Sequence, residues 1–105
     1  METIHELSND DIDNFEIIYR IHATRRIFQR AINPDDVVST LFNGTIIENY
    51  GDDFPLPSVL INGKTAKGNP LHVVAAINIE DQQLIIITAY EPDSNLWSKD
   101  YTRRF

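Results

Sequence analysis

The spacing of apolar side chains changes once along this chain, at Gly44, from a helical repeat to the alternation and apolar runs of strands. Before that point, at 100° per residue, Ala23, Ile27, Phe28 and Ala31 share one side. His22, Arg25, Arg26, Gln29 and Arg30 fall on an arc of roughly 140° opposite them. This predicts an amphipathic helix with a basic face, running from His22 to Ile32. Asn33 and Pro34 then read as the N-cap and first-turn proline of a second helix, PDDVVSTLFNG, with Asp35 and Asp36 placed against its positive end. Val37, Val38, Leu41 and Phe42 turn to a core, and Gly44 is the expected left-handed terminator.

After Gly44, TIIENY, SVLINGKT, PLHVVAAINI and LIIITAYEP read as four strands, separated by the acidic loop GDDFPLP and the turns AKGN and EDQQ. NGK at residues 62–64 is a hairpin-like turn signal. Short connections favour an antiparallel meander. The last two strands are the most apolar and are expected centrally, with helices over at least one face. Alternation puts His72 on one face with Val74 and Ala76, and Leu71, Val73, Ala75 and Ile77 on the other. Ahead of the basic helix, EIIYRI fits either a strand or a helical lead-in, and Ser8 or Asn9 would cap a short helix through Phe15. In the polar tail, Leu96, Trp97 and Tyr101 are the expected anchors. The predicted architecture is α+β: two or three N-terminal helices packed on a four-stranded antiparallel sheet.

Composition narrows the class. A chain of 105 residues with 42% hydrophobic and 24% charged content fits one globular domain, residues 1–105. The absence of cysteine removes disulfides, a thiolate nucleophile and zinc–thiolate chemistry, and suits a reducing compartment. The start, METIHELSNDD, shows no secretory signal, and the longest apolar runs are too short to span a bilayer, so the expectation is a cytoplasmic protein with no membrane partner. Histidines at positions 5, 22 and 72 have no metal-ligand spacing, and no Gly-rich phosphate loop is present, so neither metal nor cofactor is expected.

Charge changes the picture more. Net charge is -7, yet Arg20, Arg25, Arg26 and Arg30 fall within residues 17–34, where no Asp or Glu occurs. Arginines one turn apart repel by a few tenths of a kcal/mol per pair, so something should compensate. Either acids elsewhere, such as Asp52, Asp53 or the amino-terminal ones, lie over the basic face, or the face is an anion site. Arginine suits the second use, because its planar fork of donors matches phosphate or carboxylate. Arg25, Arg26 and Arg30 are thus candidate phosphate or RNA contacts. His22 and His72 are candidates for proton transfer near neutral pH, although a histidine at the start of a strand is more often a hydrogen-bonded structural residue. Tyr90, on a strand face with Thr88, and Tyr50, at the end of another strand, are either core or platforms for bases.

The series HATRRIFQR, a second helix closing on NG, IIENY, DDFPLPSVLI, GNPLHVV, IIITAYEPD, then a tryptophan and a closing RR resembles the bacterial domain-of-unknown-function family 4258 (DUF4258). The likeness runs from about residue 22 to 105 and leaves residues 1–20 as a variable lead-in. It implies a RelE-like fold and kinship with RelE-type or BrnT-type toxins of toxin–antitoxin pairs, some encoded beside zinc-finger antitoxins. The family's polar positions match His22, Arg26, Arg30, His72 and Tyr90, with Arg103 and Arg104 near the terminus; Arg25 is less typical, and so is the acidity of this chain. The implied activity is metal-independent endoribonuclease: the 2′-hydroxyl attacks phosphorus, a histidine moves protons, and Arg26 and Arg30 hold the developing charge. The competing expectation is a non-catalytic binding module whose arginine face docks an acidic partner, an antitoxin protein among them.

Overall fold

The structure, a computed structural model, describes residues 2–7, 11–52 and 55–105. Five strands form one mixed sheet in the order β1-β5-β4-β3-β2: β1 Glu16–Tyr19, β2 Thr45–Tyr50, β3 Ser58–Lys64, β4 Pro70–Asn78 and β5 Gln83–Tyr90. Helices α1 Ile4–Leu7, α2 Ile21–Gln29 and α3 Pro34–Asn43, with a 3-10 turn at Ile12–Asn14, complete the domain. The α+β class and the β2-β3-β4-β5 meander are as expected. The four-stranded, wholly antiparallel sheet is corrected: EIIY, open in sequence between strand and lead-in, pairs parallel to β5 from Glu16↔Gln83 to Tyr19↔Ile86. Its β-branched residues thereby cover the outer edge of the most apolar strand.

One sheet face carries the core. Leu71, Val73, Ala75 and Ile77 of β4 join Leu84, Ile86 and Ala89 of β5 and Val59 and Ile61 of β3 under Ala23 and Ile27 of α2 and Val37 and Leu41 of α3. α2 lies against β5, and α3 against β3 and β4. Ile4, Ile12 and Phe15 close the end of this layer. No helix among the described residues is long and apolar enough to cross a membrane.

Several boundaries differ from expectation for identifiable reasons. α2 ends at Gln29 rather than Ile32, because Ala31 takes a left-handed conformation (φ 53°) and its N–H bonds to the Phe28 carbonyl while that of Ile32 bonds to Ile27. This is the paired pattern of a Schellman terminus built without glycine. Asn33 caps α3 as predicted, accepting from the Asp35 N–H at 2.9 Å. Gly44 is not left-handed (φ -74°); it is glycine because an added Cβ would lie 2.6 Å from the carbonyl oxygens of Thr40 and Asn62. Residues 62–64 belong to β3, and the turn lies beyond them, where Thr65 and Asn69 pair. Ser8 and Asn9, the proposed caps of a helix through Phe15, lie outside the described residues; the 3-10 turn before Phe15 and the unanticipated α1 stand in that region.

Two bulges turn side chains to the face away from the helices. In β2, Ile46 faces Ile61 and Glu48 faces Leu60, leaving Ile47 as the extra residue. In β5, Ile86 faces Ala75 and Thr88 faces Val74, leaving Ile87 extra. Each insertion reverses the alternation beyond it. Glu48, Tyr50, Thr88 and Tyr90 therefore share a face with His72.

Candidate functional site

The face opposite the helices is crossed by the tail. Residues 96–105 fold back on themselves, with Phe105 N–H bonded to the Leu96 carbonyl at 3.0 Å and Ser98 N–H to that of Arg103 at 2.7 Å. Asp100 braces the turn, accepting from the Ser98 hydroxyl, the Thr102 hydroxyl and the Thr102 N–H. Those bonds, the Ser98 one foremost, bring its carboxyl down to about 2. Trp97 is the anchor, and is buried.

Beneath the tail lies His72, which is 0% exposed. Its Nε2 is 2.8 Å from the Tyr101 carbonyl oxygen. A carbonyl only accepts, so Nε2 carries the proton and Nδ1 is the acceptor of the neutral ring, facing the Tyr90 hydroxyl at 3.4 Å. Burial pushes the imidazole pKa down; the Tyr101 bond opposes that shift and the Arg104 charge adds to it. Trp97 meets the imidazole edge-on, with centroids 4.4 Å apart, and Tyr90 does so at 5.4 Å. Burial raises the Tyr90 hydroxyl, against the lowering influence of Arg104 and Arg30.

Around this pair stands a second group. Arg104 reaches Glu48 with Nε on Oε1 at 3.1 Å and Nη2 on Oε2 at 3.3 Å, and its guanidinium sits 4.8 Å from the Trp97 ring centroid. Tyr50 donates its hydroxyl to the same carboxylate. Burial alone would raise Glu48, but the bonds from Arg104 and Tyr50 outweigh it and leave its pKa lowered. Glu48 was not among the residues singled out from sequence. The available signal is a lone carboxylate inside the apolar strand IIENY, and the Ile47 bulge that aims it left no trace in the alternation.

The predicted site residues divide into two groups. His72 and Tyr90 are brought into contact. Arg30 joins them at the edge: its Nη1 donates to the Ala89 carbonyl at 2.8 Å, on the part of β5 that runs past β1, and it lines a cleft of about 520 Å³ with Tyr90, Glu91, Asp93, Leu96 and Trp97. His22, Arg25 and Arg26 are exposed on α2, in the helical layer, whereas His72 belongs to the opposite face of the sheet. By helical rise, His22 stands roughly 12 Å from Arg30 along the axis. The two histidines are thus not assembled as an acid–base pair around one phosphate. Among the described residues the ion pairs are His5–Asp13 and Arg104–Glu48, so the α2 arginines are not neutralised by acids there, Asp52 included; Asp53 lies outside the described residues. Arg103 is exposed. Among the described residues no three or more His, Asp or Glu side chains gather as metal ligands would.

The family model for a domain of unknown function, DUF4258, matches residues 19–91, from the end of β1 through β5, and this chain belongs to that family. The tail with Trp97 and Arg104 lies beyond the matched residues. No curated protein and no solved structure matches the chain.

Proposed function

We propose that this member of the DUF4258 family is a toxin-like, RelE-related endoribonuclease that cleaves RNA without a metal, at the cleft between Arg30 and Trp97. One observation carries the reading: the cleft joins the end of an unneutralised arginine stripe to the Tyr90–His72 pair. His22, Arg26 and Arg30 recur every fourth residue of α2, so a phosphate backbone lying along them is led to Tyr90.

The chemistry follows from the groups in the cleft. The 2′-hydroxyl attacks phosphorus and gives its proton to a carboxylate, for which Glu91 is placed. The O2′–P bond forms, the P–O5′ bond breaks, and the departing oxygen takes the Tyr90 proton, leaving a 2′,3′-cyclic phosphate and a 5′-hydroxyl. Arg30 holds the charge that develops on the phosphoryl oxygens. Buried and neutral, His72 acts through Tyr90: its Nδ1 accepts the hydroxyl proton at rest and so positions the oxygen, and that proton turns to the departing O5′ as the P–O5′ bond breaks. The histidine is a positioning residue, and the sequence-based role of direct base or acid passes to the two side chains in the open cleft.

The test is cleavage of end-labelled RNA by the full chain in chelator. Native protein should yield cyclic-phosphate ends; Tyr90→Phe should lose about 10²-fold or more in rate and Arg30→Ala about 10²-fold. Intact RNA with native protein, or equal rates for all three, would overturn the reading.

A non-catalytic module has one observation of its own. Ile21 and Phe28 are 68% and 85% exposed beside Arg25, over an apolar groove lined by Tyr19, Thr24, Ile27, Phe28, Ile32 and Pro34. Such a surface fits an acidic amphipathic segment, as an antitoxin would supply.

A further inference from the structure

All three lysines of this acidic chain, Lys64, Lys67 and Lys99, gather at one end of the sheet, away from α2. Lys64 ends β3, Lys67 lies in the turn before Gly68, and Lys99 comes from the tail; Lys64 and Lys99 line one cleft of about 410 Å³ with Asn62, Gly63, Gly68 and Tyr101. Asp100 lines the cleft as well and keeps its charge, Asp36 stands near, and the oxygens of both are engaged by the chain itself. The first carboxylate accepts three bonds within its own turn, and the second accepts the Ala66 N–H at 2.9 Å. The lysines have no ion pair among the described residues.

An independent feature marks the same place. Of the two buried side-chain polar atoms without a hydrogen-bond partner among the described residues, Asn62 Oδ1 belongs to a residue lining this cleft, and Thr40 Oγ1 lies on the helix side of the sheet. Asn62 spends its Nδ2 on the Asp100 carbonyl and keeps a buried acceptor that no donor meets. Thr40 sits behind Gly63, where an added Cβ would lie 2.7 Å from its hydroxyl. Buried unmatched polar atoms are uncommon enough to call for a cause, and an acceptor beside two free ammonium groups matches a ligand that carries hydroxyl or amine donors together with a phosphate.

The cleft is also in line with the other one. Asn62 pairs with His72, and His72 with Tyr90, so the three stand in one row across β3, β4 and β5. At strand spacing, Asn62 lies roughly 10 Å from Tyr90, a span of a few nucleotides. The tail lies between, contributing Trp97 to one cleft and Lys99 and Tyr101 to the other.

We propose that the Lys64–Lys99 cleft is a second subsite for single-stranded RNA, binding a phosphate between the two ammonium groups while a sugar hydroxyl or base amine donates to Asn62 Oδ1. This rests on the RNA reading above and adds the direction of the strand, from the arginine stripe across the tail to the β3–β4 hairpin.

The experiment titrates the full chain with an uncleavable 2′-O-methyl oligonucleotide at several salt concentrations. Lys64→Ala/Lys99→Ala, which touches only exposed side chains, should weaken binding at least tenfold and flatten the salt slope by about 0.7 for each phosphate no longer neutralised. Asn62→Asp should weaken it with the lysines intact, since a carboxylate there meets the phosphate with like charge. Circular dichroism of each variant checks the fold. If the double variant binds like native while Arg30→Ala weakens binding, the second subsite is overturned and the first reading stands. If the double variant weakens and Arg30→Ala does not, the subsite stands and the Arg30 cleft falls. No binding by native protein overturns both.

Discussion

The Nε2 of His72 donates to the carbonyl oxygen of Tyr101 at 2.8 Å, so a residue in the middle of the sheet holds the tail down on it. The bond fixes the tautomer, and with it the acceptor that Tyr90 meets. His72→Ala should remove that bond, open a cavity under Trp97 and cost about 3 kcal/mol, read from urea denaturation. An unchanged midpoint would mean that the tail does not depend on the imidazole.

The same ring sets a pH dependence. Its folded pKa lies below the ordinary 6.5, because burial disfavours the charged form. The unfolded chain therefore takes the extra proton first. The stability this gives is complete above about pH 6.5 and is lost as pH falls below it. Native protein should lose urea resistance between pH 7.5 and 5.5, and His72→Gln should lose less over that interval. Parallel curves would contradict the assignment.

Arg104 closes the tail from outside, by its fork on Glu48 and its position over Trp97. The pair is largely solvent-exposed, so Arg104→Ala should cost under about 1 kcal/mol. Trp97 is the chain's single tryptophan, and its emission should shift to the red when the guanidinium is removed. A large destabilisation without that shift would place the role of Arg104 elsewhere.

Ala31 holds a left-handed conformation at the end of α2. A Cβ is strained there by about 1 kcal/mol, and glycine relieves it. Ala31→Gly should raise the melting temperature by roughly 5 °C. A fall would show that the chain entropy added by glycine outweighs the relief of strain.

Gly44 gives the opposite result. An added Cβ meets backbone oxygens of Thr40 and Asn62 and the Ile61 side chain at 2.6 Å. Gly44→Ala should destabilise by about 2 kcal/mol, as overpacking does, with the loss read as a lower denaturation midpoint.

How far the sequence reaches can be judged residue by residue. Helical spacing placed Ala23, Ile27, Val37 and Leu41 in the core, Asn33 as a cap, and the arginines outside, because each follows from neighbours within one or two turns, whereas Phe28 and Ala31, on the same expected apolar side of α2, are exposed. Alternation put His72 opposite Leu71 and Val73 for the same reason. β1 was undecided: four residues fit strand or lead-in equally until the edge of β5 was there to pair with.

What the chain determined by itself is local: the basic stripe on α2, the α3 cap, the meander of four strands and the face on which His72 lies. Only the tertiary structure decided which polar residues meet. Two extra residues, Ile47 and Ile87, reverse the alternation in strands far apart in sequence and bring Glu48, Tyr50 and Tyr90 to the His72 face, and the tail then buries the imidazole. A bulge depends on the partner strand and a cover depends on what it covers, so neither is written in the period of the segment itself.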